Sequence, residues 1–133
     1  MRSLHNCEER GAITVWTAVA LIGFVLIVGI GVDFSGQARA AQEARGIARE
    51  AARAGGQYVR TENGSLYIEP ESAKRAAENY VAASRFHGTA EVVNGKTIRV
   101  EVSGEYTCVF LKAIGITTLP VRGEGAANPG SYS

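Results

Sequence analysis

Very little in this chain is equipped for covalent chemistry. It has two cysteines and two histidines, scattered as His5 and Cys7 near the start and His87 and Cys108 far downstream. A zinc site needs about four ligands at close spacing, so no metal site is expected. No G-x-S-x-G elbow, phosphate-binding glycine loop or dinucleotide fingerprint occurs either. The chain is therefore expected to be no enzyme, with no catalytic residues, no cofactor and no small-molecule substrate. An excess of charge of one sign is also missing. There are 14 Lys+Arg against 13 Asp+Glu, a net charge of +1, whereas nucleic-acid binders carry a basic face or stripe, so that partner class is set aside. Cys7 and Cys108 lie on opposite sides of the apolar run described next, and an intrachain disulfide would have to reach across it. Leu4 to Cys7 spells L-x-x-C, but a lipid-attachment cysteine should follow an apolar run and this one precedes it.

Charge is absent altogether from residues 12–32, AITVWTAVALIGFVLIVGIGV. About 20 such residues at 1.5 Å rise match a hydrocarbon core of roughly 30 Å, which predicts a transmembrane helix. The competing reading is a cleaved secretory signal, because Ala38-Arg39-Ala40 has a small-x-small form. An h-region spans only about 7 to 15 residues with its cleavage site close behind. Here the run is longer and the site lies well beyond it, so a retained anchor is the expectation. Orientation is less direct. Arg2 and Arg10 precede the run while Arg39, Arg45, Arg49 and Arg53 follow it, so the positive-inside count favours a cytoplasmic C-terminal side. Arg10 at the membrane edge and Asp33 just after the run weigh the other way.

Beyond the run, residues 33–58 are rich in Ala, Arg, Glu and Gln and free of proline, so the helix should continue out of the membrane. Ala41, Ala44, Ala48, Ala51, Gly55 and Tyr58 recur at spacings of three and four, a stripe of small residues down one face. This stripe is the expected helix packing seam, used either by the chain's own domain or by a neighbouring subunit. Arg45, Arg49 and Arg53 form a like-charged ridge that reads as a solvated face. Gly55-Gly56 marks the end of the helix.

Residues 59–126 read as a small α+β domain. Asn63-Gly64 is a turn ahead of the apolar Leu66-Tyr67-Ile68, and it accounts for the Asn-Gly-Ser glycosylation spelling at the same place. Pro70 suits the first turn of a second helix running to about residue 85. Asn94-Gly95, flanked by alternating segments, is the strongest hairpin signal in the chain. A third strand over 105–110 and a last one over 120–125 give a small antiparallel sheet of about four strands. Tyr106, Phe110, Ile114 and Ile116 read as core, the alternative being an exposed contact patch. Residues 127–133 are expected to form a flexible tail. Gly31 and Ser35 make the only glycine-based small-xxx-small pair starting in the apolar run, a weak signal for helix association.

A short tail ending Glu9-Arg10-Gly11, an uninterrupted apolar helix, Val32-Asp33 and a continuation through Ala51-Ala52-Arg53-Ala54-Gly55 resemble the TadE/TadG-like proteins of Tad pili, in particular actinobacterial members. The resemblance extends over the second helix, the hairpin and the terminal strand, and so over most of the chain. It implies a pilin-like fold with residues 1–11 as a cytoplasmic tail and residues 12–32 across the membrane. The domain then lies outside the cytoplasm, and the partners are the membrane and other pilin-like or Tad pilus subunits. Prepilin processing follows a glycine, which makes Gly11 and Ala12 the candidate processing site. The glutamate usual at the fifth mature position is replaced by Trp16. The missing carboxylate points to an unprocessed or minor subunit. The alternatives are a membrane-anchored ligand-binding envelope protein and a small secreted protein released by signal peptidase.

Overall fold

Good helix formers run from the apolar segment into its continuation without a proline, so a single helix carries both. In the computed structural model, which describes residues 5–131, α1 spans His5–Gly55. Residues 5–11, expected as a tail, are thus already helical; the rest of that tail, 1–4, and the last two residues of the C-terminal one lie outside the described residues. Among the described residues α1 is the one helix long and apolar enough to cross a membrane. Its apolar side chains point away from the protein, with Trp16 78% and Ile27 72% exposed. The helix stops at Gly55, where the Gly56 N–H still reaches the Ala52 carbonyl at 2.8 Å.

Two strands, β1 (Val59–Glu62) and β2 (Ser65–Ile68), then form an antiparallel hairpin. Asn63 and Gly64 join them with φ of 50° and 77°, the doubly positive pair that a type I′ turn requires. Helix α2 (Pro70–Ala82) begins where the Glu69 carboxylate accepts the Ser72 N–H at 2.9 Å, and Pro70 at its first position forfeits no helical bond. It ends short of residue 85 because Ser84 turns the chain: its hydroxyl donates to the Val81 carbonyl at 2.6 Å and accepts from the Phe86 N–H at 3.1 Å.

The second sheet has the order β3 (His87–Val93), β4 (Thr97–Thr107), β5 (Thr118–Ala127), antiparallel throughout. Asn94-Gly95 turns β3 into β4 with φ of 54° and 68°. The fold is α+β as expected, but five strands in two sheets replace the single sheet of about four. Strand β4 runs unbroken through Gly104, where the Phe86 ring fills the place a side chain would occupy. The segments expected as two strands are therefore one. The segment expected as a flexible tail contains the end of β5 and a 3-10 turn at Pro129–Ser131, held by Asn128, whose side-chain oxygen accepts the Gly130 N–H at 2.9 Å.

The chain divides into two units, residues 1–35 with 108–117, and residues 36–107 with 118–133. The core of the second is built from Ala44, Ala48, Ala51 and Ala52 of α1, Ala73, Ala77 and Val81 of α2, and Ile98, Val100, Val102 and Val121 of the sheet. Along β4, Ile98, Val100 and Val102 are buried while Arg99, Glu101 and Ser103 are exposed, the alternation of a sheet with one face covered.

Candidate functional site

The expected seam lies within the second unit, and the protein's own sheet covers it. Ala44, Ala48 and Ala51 are fully buried and Gly55 is buried with them. Strand β5 crosses this face through Gly123 and Gly125. A Cβ on either glycine would come within 2.5 Å of α1 backbone atoms, at Ala44–Arg45 and Ala48–Arg49 respectively. Helix and strand therefore meet backbone to backbone, which only small residues on both sides permit. Gly55 is covered by Ile98, Ala73 and Ala77. Two members of the expected stripe behave differently. Ala41 is half-buried, and Tyr58 lies beyond the helix end with 48% of its surface exposed, because the Gly55-Gly56 break takes it off the helical period. Ala40 and Ala52, absent from the expected stripe, are buried in its place. Arg45, Arg49 and Arg53 are exposed, and Arg53 lies 3.7 Å from Glu50.

The first unit contains a feature that the sequence reading missed. Asp33, the first acid after the apolar run, is fully buried. Its Oδ1 accepts the Val109 N–H at 2.7 Å, and its Oδ2 accepts those of Phe110 at 2.9 Å and Leu111 at 2.7 Å. The carboxylate thereby caps the 3-10 turn Leu111–Ile114 in the loop between β4 and β5. Three successive N–H groups converging on one charge form a strong charge-assisted anchor. The Phe110 ring lies on Gly29, one helical turn before Asp33, where a side chain would come within 2.8 Å of it. Cys108 is buried beside them, and burial, with the Asp33 carboxylate nearby, pushes its thiol up from the ordinary value. The one legible signal was an acid one turn after a glycine at the end of an apolar run. Of the aromatic and aliphatic residues expected as core, Tyr106 is half-buried over Gly36 in the second unit, while Phe110, Ile114 and Ile116 are exposed.

Gly11 and Ala12, the candidate processing site, are exposed on α1. Gly31 of the small-xxx-small pair has open space where a side chain would lie. The solvent side of the three-stranded sheet holds a groove of about 680 Å³ lined by Arg45, His87, Glu101, Ser103, Arg122 and Glu124. The register sets Glu101 opposite Glu124, and Glu124 is paired with Arg99 at 3.1 Å, so charges of both signs are interspersed. Among the described residues no group of three or more metal-ligating side chains is assembled. No protein-family model, curated protein or solved structure matches this chain.

Proposed function

We propose that this protein is a pilin-like minor subunit or assembly component of a Tad-type pilus or related secretion machine, anchored by α1 with its N-terminus in the cytoplasm and its α+β domain outside. The observation that carries this reading is the division of labour along one 51-residue helix. Its first part exposes apolar side chains to their surroundings, and its later part is built of small residues covered by an antiparallel sheet. That is the arrangement of a subunit held by its helix while presenting a folded head, and it agrees with the resemblance of the sequence to TadE/TadG-like proteins. With Trp16 where prepilin-type chains carry a glutamate, a minor or unprocessed role is favoured over that of a major filament pilin.

Membrane topology tests the proposal. In whole cells, a membrane-impermeant maleimide is expected to label Thr61→Cys, an exposed position in β1, and not the native Cys7. Native Cys108 is buried and contributes little background. Labelling of Cys7 with protection of position 61 would sink the pilin-like reading. Intact mass of the protein recovered from membranes then separates an uncleaved chain from cleavage after Gly11 or near Ala40.

A further inference from the structure

The loop 108–117 combines two properties that rarely occur together in water. Seven of its ten backbone N–H groups donate within the first unit. Val109, Phe110 and Leu111 donate to Asp33, Cys108 to the Thr117 carbonyl at 2.9 Å, Ala113 to Phe110, Gly115 to Lys112 and Ile116 to Leu111, each at 3.1 Å. Its apolar side chains, by contrast, are turned outward. Val109 is 64% and Ile114 65% exposed, and Phe110 and Ile116 are exposed as well. N–H groups held internally beside bare apolar side chains suit a hydrocarbon boundary, since lipid cannot hydrogen-bond an open N–H.

The position of the loop on α1 decides the occupant. Phe110 rests on Gly29, inside the apolar run 12–32, and the loop is clasped at Asp33 just past its end. Those two anchor points are about 6 Å apart along the helix. The exposed side chains of the loop are thus continuous with the exposed Ile30, Val32 and Phe34 of α1, at the depth where the run leaves the hydrocarbon. Lys112, exposed between them, has a stem long enough to lie along apolar surface with its ammonium among headgroups.

We propose that the loop 108–117 is a membrane-inserting element, with Val109, Phe110, Ile114 and Ile116 seated in the acyl-glycerol boundary of the phospholipid leaflet from which α1 emerges. The proposal rests on α1 spanning the bilayer, and its test keeps the two separable. In full-length protein carrying Cys7→Ser and Cys108→Ala, an environment-sensitive fluorophore is attached at Ile114→Cys or, as the control for the span, at Val25→Cys. The proteins are reconstituted at low density into phosphatidylethanolamine and phosphatidylglycerol vesicles containing lipids doxyl-labelled either near the carboxyl end or near the methyl end of the acyl chain. The expected result is a blue-shifted probe at 114 that loses fluorescence to the shallow quencher more than to the deep one, with the probe at 25 losing more to the deep one. Quenching at 25 without quenching at 114 overturns the loop proposal and leaves the span standing. A blue shift at 114 without lipid quenching also overturns it, because a second protein copy then covers the loop. Absence of quenching at both positions removes the spanning helix and the loop proposal with it.

Discussion

At Asp33 one carboxylate receives three N–H groups that would otherwise need three separate acceptors. Asn at this position keeps the shape but removes the charge and turns one acceptor into a donor facing a donor. Leaving such a buried group unmatched costs about 1 to 3 kcal/mol. Asp33→Asn is therefore expected to loosen the loop and expose Cys108. In a Cys7→Ser background this appears as faster reaction of Cys108 with a small thiol reagent, and an unchanged rate would show that the carboxylate does not hold the loop. Glu69 works by the same chemistry at the start of α2. Accepting the Ser72 N–H holds its carboxyl below the ordinary glutamate range. A depressed native pKa means that the ionised form is favoured by folding, so the cap contributes fully above the unfolded value and is lost as pH falls through the native one. Glu69→Gln retains an acceptor without a charge. It should flatten this part of the acid limb when denaturation midpoints are compared across pH, and identical limbs for both proteins would rule the cap out as a contributor.

At the scale of elements, the contact of α1 with β5 has no room for added atoms. Gly125→Ala and Ala48→Leu both place new carbon against backbone that cannot retreat, and overpacking of this kind typically costs about 1 to 3 kcal/mol. Gly46, on the same helix, has nothing within 4 Å of the place a Cβ would take, so Gly46→Ala should raise stability, by up to about 1 kcal/mol. Arg49→Gln, on the exposed ridge, should change little. Thermal melts of the full-length protein in detergent check the ranking; equal melting temperatures for Ala48→Leu and Arg49→Gln would show that the stripe is merely helix-forming alanine. The same elements show what could be read from residues alone. Both Asn-Gly turns and the Pro70 helix start were legible because they depend on local backbone conformation. The merging of two expected strands into β4 was not, because Phe86 filling the space over Gly104 is a long-range event. Strand β1 went unread because all four of its residues are exposed and give no alternating pattern.

For the molecule as a whole, helix, period and order sufficed for the α+β class and for the apolar run. The stripe of alanines is visible in the sequence, but its covering is not: nothing local to residues 120–125 shows that Gly123 and Gly125 lie against the backbone of α1. Asp33 was read only as a charge beside a membrane, since its partners lie 76 to 78 positions away. That separation also has a consequence in time. Synthesis runs from the N-terminus, so the apolar run and Asp33 are made well before the loop that occupies the carboxylate. At about 5 to 20 residues per second, synthesis leaves the carboxylate waiting roughly 4 to 15 s for its donors. The clasp between Asp33 and residues 109–111 therefore closes only after the hairpins, α2 and β4 that separate its two halves have been made.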